Sequence, residues 1–203
     1  MAESVPHAGS DAATEDRLRE HCTGSAQVYK GRLLDVRRDT VRLPDGSESS
    51  REYIVHPGAV GAVPILDDGR IVMVRQFRYP LGRTLLEIPA GKVDAGESML
   101  TCAARELREE TGYTAREWAR AGVLHNAVAY SNEGIEIWFA RGLTAGSAQL
   151  DAGEFVEVSA ASLEDLEAEA AAGTLTDAKT LIALLWLRHW RDGRWVLQWQ
   201  AHG

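Results

Sequence analysis

Cysteines and long apolar runs are scarce in this 203-residue sequence. It has only two cysteines, Cys22 and Cys102, and their separation fits neither a zinc site nor a disulfide framework. No apolar run approaches the roughly 20 residues of a membrane-spanning helix. The first residues also lack the apolar segment of a signal peptide. We therefore expect a cytoplasmic protein that does not contact membranes.

Positive charge is also in short supply. Lysine and arginine total 22 against 30 aspartate and glutamate residues, which gives a net charge of −8. Because nucleic-acid binding depends on clustered lysine and arginine, this balance argues against a nucleic-acid partner. It fits an acidic site that handles anionic substrates through metal ions. The hydrophobic content of 45% is enough for one sizeable core.

The most informative segment is GKVDAGESMLTCAARELREETGY, residues 91–113. Ser98 can cap a helix that runs from about Met99 to Thr111, and Gly112 suits its left-handed end. Small and apolar side chains recur along it at steps of three and four, which predicts one buried stripe. The stripe consists of Leu100, Ala103, Ala104, Leu107 and Thr111.

Carboxylates crowd one face of this predicted helix. Glu106 and Glu110 are four residues apart and Glu109 is three residues from Glu106, so all three share a side. Like charges at this spacing repel each other, and Arg105 balances only part of the charge. Mg²⁺ or Mn²⁺ would balance the rest, because both prefer carboxylate oxygens and water. The alternative is a solvated acidic helix face, but the glycine loop and Glu97 before the helix argue against it.

Patterning along the chain predicts three regions. Residues 1–25 are small, polar and charged, which is typical of a flexible arm. Residues 26–57 contain short alternating runs around a Pro-Asp-Gly turn, which predict a small antiparallel sheet. Such a sheet should pack on the main domain or on a second subunit. Residues 58–203 contain strands on both sides of the helix and two later helices, which predicts an α/β fold with a mixed sheet between helices.

Within the main domain, we expect the apolar runs GAVGAVPIL and RIVMVRQF to form a hairpin around the turn at 67–69. Ser162 should cap a helix over about 163–172, and Thr176 or Asp177 should cap a longer one. The final segment RWVLQWQAHG could be an extra strand or a packed tail.

The segment at 91–113 also resembles the Nudix hydrolase signature, G-x5-E-x7-R-E-U-x-E-E-x-G-U. The seven matching residues are Gly91, Glu97, Arg105, Glu106, Glu109, Glu110 and Gly112. The resemblance implies an α/β/α sandwich that hydrolyses a nucleoside diphosphate linked to another moiety. It assigns metal binding to Glu106, Glu109 and Glu110, with Glu97 and the Ala90 carbonyl as further ligands. About two or three Mg²⁺ or Mn²⁺ ions are implied. Arg105 and Glu109 would also serve catalysis, Arg105 by orienting the glutamates.

Three segments resemble the ADP-ribose pyrophosphatase branch of this family. In VRQFRYP, which is followed by LLEIPAG, Arg78 matches a substrate-binding arginine. In GEFVEV, Glu154 matches the catalytic glutamate of a mobile loop, acting as base or as an extra metal ligand. The run GTLTDAKT resembles the opening of the last helix in that branch.

Two departures from this branch concern the base and the adenine pocket. Many relatives carry a second glutamate where this chain has Ala152, so the assignment of the base rests on Glu154. Some relatives also hold adenine between aromatic residues of the N-terminal sheet, across a dimer. Here Arg51 replaces a tryptophan, and Tyr53 or Tyr29 could substitute for it. Arg51 and Tyr53 are therefore predicted substrate-binding residues, with the base selectivity left open.

The leading hypothesis is a homodimeric enzyme that hydrolyses ADP-ribose to AMP and ribose 5-phosphate. One alternative is the same chemistry on another nucleoside diphosphate sugar, such as a UDP- or GDP-sugar. A second alternative is a non-catalytic nucleotide-sugar sensor, against which the complete set of signature glutamates argues.

Overall fold

The computed structural model describes residues 12–202, so most of the first half of the predicted arm lies outside the described residues. The chain forms two compact units. The N-terminal unit contains the described residues up to His56 together with Ala127–Asn132. The second unit, which we call the main unit, contains Pro57–Asn126 and the chain from Glu133 onward.

The N-terminal unit is a three-stranded antiparallel sheet preceded by a short helix. Its elements are α1 (Ala12–Leu18), β1 (His21–Lys30), β2 (Asp35–Arg42) and β3 (Glu48–Ile54), with the strands in the order β1-β2-β3. β1 begins earlier than the sequence indicated, inside the predicted arm. β1 pairs with β2, but all ten of its residues are exposed. Because the strand has no buried face, its sequence lacks the apolar alternation that would predict a strand. Backbone hydrogen bonds, not burial, define this strand.

The main unit contains two sheets. Its elements are β4 (Ala59–Pro64), β5 (Ile71–Arg78), β6 (Arg83–Glu87), β7 (Ala90–Lys92), α2 (Met99–Thr111), β8 (Thr114–Leu124), β9 (Ile135–Thr144), β10 (Val156–Ala161), α3 (Leu163–Ala171), α4 (Ala178–Arg191) and β11 (Trp199–Ala201). One sheet has the strand order β10-β5-β6, and the other has the order β11-β8-β9-β4-β7. The five-stranded sheet is mixed, because β4 and β9 run parallel while its other pairs are antiparallel.

The core has two parts, one on each face of the five-stranded sheet. On one face, Val60 and Ala62 of β4 pack with Leu107 of α2. On the other, Val63 of β4 and Phe139 of β9 pack against residues of β5, α3 and α4. A sheet covered by helices on both sides is the predicted α/β/α sandwich, and this prediction is confirmed.

The predicted hairpin between β4 and β5 is wrong, although its turn is present. Gly69 has φ of +86°, and Leu66 donates its N–H to the carbonyl of Arg70 at 2.9 Å. The strands nevertheless enter different sheets, and the single bridge Ile65–Ile71 joins them. β4 is buried along its whole length and pairs with β9 on one edge and β7 on the other. No edge of β4 is left for β5.

The C-terminal segment is a packed tail with a short strand. β11 pairs with β8, and two aromatic ring contacts, one edge-on and one tilted, join the segment to α4. Trp186 lies 5.4 Å from Trp195, and Trp190 lies 5.6 Å from Trp199, measured between ring centroids. Among the described helices, none is long and apolar enough to cross a membrane.

Candidate active site

Helix α2 begins and ends where the sequence predicts. The Ser98 hydroxyl accepts the N–H of Thr101 at 3.1 Å, which caps the first turn. Gly112 has φ of +77° and donates its N–H to Arg108 at 2.9 Å. A Cβ at Gly112 would also lie 2.6 Å from the carbonyl oxygen of Gly146. The glycine therefore allows the left-handed end of the helix and also leaves room for the backbone of residues 145–150 to pack against it.

The glycine that opens the signature makes room for a carboxylate. Gly91 lies in β7, directly beside Glu106 of α2. A Cβ at Gly91 would be 2.0 Å from both the carboxyl carbon and Oε1 of Glu106. Because such contacts do not occur between real atoms, any side chain at this position would displace Glu106. The spacing between Gly91 and Glu106 in the signature thus reflects direct packing of these two residues on each other.

Arg105 connects three of the signature glutamates. Its Nε and Nη2 donate to the two carboxylate oxygens of Glu97, each at 3.0 Å. Its Nη1 donates to Glu106 at 2.7 Å and to Glu109 at 3.0 Å. The bond to Arg105 is the main cause that lowers the pKa of Glu97 to about 2. Arg105 therefore orients these carboxylates and partly neutralises their charge.

Glu110 lies in a different environment from the other signature glutamates. It is only 3% exposed, and its one hydrogen bond among residues 12–202 comes from the backbone N–H of Ala90 at 3.2 Å. Burial, followed by the negative charges of Glu106 and Glu154, raises its pKa to about 8. Burial also raises the pKa of Glu106 against the opposing charge of Arg105. A carboxylate pair this poorly compensated favours a bound cation.

Glu154, in the segment before β10, lies close enough to Glu106 and Glu110 for its negative charge to contribute to their raised pKa values. Gly153 has φ of +88°, and Glu154 donates its N–H to Asp151 at 3.0 Å in a tight turn. The side chain of Glu154 accepts a hydrogen bond from Nε2 of Gln76 on β5 at 3.1 Å. We call Glu106, Glu110 and Glu154 the carboxylate cluster. The cluster has no contribution from position 152, in keeping with the alanine there.

Arg78 is held by an acidic residue that the sequence prediction missed. Its Nε and Nη2 donate to the two oxygens of Glu87 at 2.7 and 2.6 Å. Glu87 is 1% exposed and also accepts a hydrogen bond from Lys179. Two signals of this ion pair are present in the sequence, namely Glu87 in the apolar run TLLEI and Lys179 in an otherwise buried face of the last helix. Neither pattern is specific enough to predict an ion pair between residues so distant in sequence.

Arg51 and Tyr53 belong to β3 of the N-terminal unit. Arg51 forms a forked ion pair with Glu20, with distances of 2.9 and 2.5 Å. The Tyr53 hydroxyl donates to Asp39 at 3.0 Å. Both partners lie in the same unit. The roles of Arg51 and Tyr53 in substrate binding remain predictions.

The donor atoms suit a hard divalent cation, although the described residues do not form a preassembled ligand set. In the part of the chain that the structure describes, no three His, Cys, Asp or Glu side chains surround one point that could hold a metal ion. Arg105 draws Glu97, Glu106 and Glu109 toward its own guanidinium. Glu110 has no cationic hydrogen-bond partner among the described residues, and oxygen donors are what Mg²⁺ and Mn²⁺ prefer. The residues therefore fit such an ion in chemistry.

This fold and this glutamate-bearing helix define a Nudix hydrolase. Residues 55–184 match the NUDIX domain, and residues 20–54 match the nucleoside diphosphate sugar hydrolase N-terminal domain. The chain therefore belongs to the Nudix family. The match to the N-terminal domain starts at residue 20, before the predicted start of the sheet at residue 26, and this agrees with the start of β1 at His21.

Within this family, the chain is similar to the following individual proteins. The chain is 39% identical to an ADP-ribose pyrophosphatase of Bacillus subtilis (strain 168) over 173 residues, which cover 84% of this chain and 94% of that protein. It is 37% identical to a methanol dehydrogenase activator of Bacillus methanolicus over the same shares of the two chains. It also resembles the crystal structure of an ADP compounds hydrolase, with a TM-score of 0.78, 25% identity, and coverage of 87% of this chain and 96% of that one.

Proposed function

We propose that this Nudix hydrolase cleaves the diphosphate of ADP-ribose to give AMP and ribose 5-phosphate. The observation that carries the proposal is the carboxylate cluster, which brings Glu154 to the signature glutamates. The resemblance to ADP-ribose pyrophosphatases over most of the chain supports ADP-ribose as the substrate.

Glu106 and Glu110 would hold the divalent ions, with Glu97, Glu109 and the Ala90 carbonyl as further ligands. Nudix hydrolases generally use divalent metal ions, and we propose about two or three Mg²⁺ or Mn²⁺ ions here. When bound, such ions neutralise diphosphate charge and lower the pKa of a coordinated water. This chemistry explains why the chain keeps poorly compensated carboxylates in a buried position.

The remaining site residues position the reactants. Glu154 accepts or holds the proton of the attacking water, and its bond to Gln76 fixes its carboxylate near the signature helix. Arg78 binds the diphosphate, which suits its position at the end of β5. Arg105 keeps Glu106 and Glu109 in place.

The N-terminal unit would select the nucleoside. We propose a cytoplasmic homodimer in which residues 26–57 complete the pocket of the partner, through Arg51 and Tyr53. Because Arg51 stands where some relatives have a tryptophan, a UDP- or GDP-sugar is the alternative substrate.

A substrate panel tests the proposal. We expect Mg²⁺- or Mn²⁺-dependent turnover of ADP-ribose with kcat/KM above that for UDP-glucose, GDP-mannose and NADH. A better kcat/KM for one of the other nucleotides would replace ADP-ribose as the substrate but keep the chemistry. Tight binding of ADP-ribose with metal and without turnover would instead establish the sensor hypothesis.

A further inference from the structure

Glu87 is a buried carboxylate that lies close to the proposed diphosphate site. It ends β6, is 1% exposed, and is bonded by Arg78 on one side and Lys179 on the other. Burial raises the pKa of Glu87, but the two cations outweigh this effect and leave it below the ordinary value. Three residues further along the chain, the N–H of Ala90 binds Glu110 at 3.2 Å, so this ion group lies beside the carboxylate cluster.

The bond pattern of Arg78 leaves part of its guanidinium available. Nε and Nη2 form the fork with Glu87, and within residues 12–202 no hydrogen bond from Nη1 is observed. A guanidinium has five N–H donors in one plane, so a fork on one edge fixes the direction of the others. The side chain of Arg78 is 41% exposed. Glu87 therefore immobilises a cation whose other edge remains accessible.

Helix α4 holds Glu87 from the opposite side. Lys179 lies 3.1 Å from Asp177 as well as contacting Glu87. Asp177 caps α4 through the N–H of Thr180 at 3.0 Å, and the Thr180 hydroxyl accepts the N–H of Ile88 at 3.0 Å. Residues 87 and 88 are thus both fixed to the first turn of α4. Two carboxylates and two cations balance in this group.

A carboxylate beside a diphosphate site is unfavourable unless it serves another purpose, because it repels the substrate. We infer that Glu87 is a positioning residue that holds Arg78 in one orientation toward the diphosphate. Lys179 supplies the second positive charge that offsets the negative charge of Glu87. The inference rests on the proposed function in taking Arg78 as a diphosphate ligand, but it does not depend on which nucleoside sugar is cleaved.

Steady-state kinetics of a double-mutant cycle test this inference. The variants are Glu87→Gln, Arg78→Ala and the double variant, assayed with the best substrate of the panel. Arg78→Ala should raise KM by about 10- to 100-fold, as expected for loss of charge-assisted hydrogen bonds. Glu87→Gln should raise KM by about tenfold with kcat within about threefold, and should raise it by less than about twofold once Arg78 is absent.

The sign of the change separates positioning from simple electrostatics. Removing a negative charge near the diphosphate would by itself lower KM, whereas loss of Arg78 positioning raises it. An unchanged or lowered KM in Glu87→Gln, or an equal increase with and without Arg78, would overturn the inference. So would an unchanged KM in Arg78→Ala. Failure of the proposed function would look different, since the unmodified protein would cleave none of the nucleoside diphosphate sugars.

Another arginine–glutamate fork in the main unit, away from the proposed site residues, provides a matched control. Glu117 accepts from Nε and Nη2 of Arg141 at 2.9 and 3.2 Å, on strands β8 and β9. Glu117→Gln should leave KM unchanged. Glu87→Gln leaves Lys179 with Asp177 as its ion-pair partner. If this variant does not fold, the variant Glu87→Gln/Lys179→Met removes both charges. It should show the same dependence of KM on Arg78, with folding checked by circular dichroism.

Discussion

Replacing Glu110 with glutamine should raise the stability of the metal-free protein and abolish most of its turnover. Glu110 is buried, and its pKa of about 8 lies well above the ordinary 4.5. A raised carboxyl pKa means that the folded state binds the proton more tightly than the unfolded state. The free energy of unfolding of the metal-free protein therefore falls as pH rises from about 4.5 to about 8.

The size of this effect follows from the two pKa values. A tenfold change in proton affinity corresponds to about 1.4 kcal/mol, so the difference between 4.5 and about 8 sets an upper limit of about 5 kcal/mol. Because the negative charges of Glu106 and Glu154 contribute part of the raised pKa of Glu110, we expect a gain below this limit, about 2–4 kcal/mol at pH 8. Near pH 4.5 the gain should disappear.

Urea denaturation in EDTA at several pH values measures the gain. With Mg²⁺ most of the difference should disappear, since a ligand that binds only the folded state at 100 times its Kd stabilises the unmodified protein by about 2.7 kcal/mol. Turnover with Mg²⁺ should fall by about 100-fold or more, because such ions contribute several kcal/mol to catalysis. Glu157→Gln, on the exposed surface of β10, is the control and should change neither quantity.

Two outcomes would refute this reasoning. If Glu110→Gln in EDTA is no more stable than the unmodified protein at pH 8, then Glu110 is not an uncompensated buried carboxylate. If turnover persists in a folded variant, then Glu110 does not hold the metal.

Three further predictions concern packing. Gly91→Ala should lower turnover by about 100-fold by displacing the Glu106 carboxylate, 2.0 Å from the new Cβ, with melting temperature nearly unchanged; an unaffected rate would contradict the packing. Gly122→Ala places a Cβ 2.9 Å from the Trp186 ring and should lower the free energy of unfolding, measured by urea titration, by about 1–3 kcal/mol. An unchanged free energy of unfolding would mean that the ring moves freely. Burial raises the pKa of Cys102 to about 12, so a thiol reagent should label only the exposed cysteine until the protein unfolds, and rapid double labelling would count against this burial.

The local features of the main unit could be predicted from the sequence because local rules set them. Ser98 and Gly112 bound α2 through capping and a left-handed turn, and the carboxylates share a face because of helix geometry. Strand pairing could not be predicted in the same way. The run that forms β5 is equally apolar in a hairpin or in a separate sheet, and β9, more than 50 residues later, decides between them by pairing with β4.

The candidate site likewise contains residues that the sequence predicts and residues that depend on contacts between distant elements. Glu106, Glu109 and Glu110 follow from their spacing, and Glu154 follows from a resemblance. Gln76, Glu87 and Lys179 do not, because their roles arise from contacts between elements that are distant in the chain. A charged residue in an apolar run looks like an interruption until its partner is known.

The placement of the tryptophans gives the protein a built-in spectroscopic division. All six tryptophans of the sequence lie in the main unit, and four of them join α4 to the C-terminal tail. The described part of the N-terminal unit has tyrosines but no tryptophan. Selective tryptophan emission therefore follows the main unit alone, whereas far-ultraviolet circular dichroism follows the secondary structure of both units. Comparing the two signals during denaturation would reveal whether the units melt together, without any label.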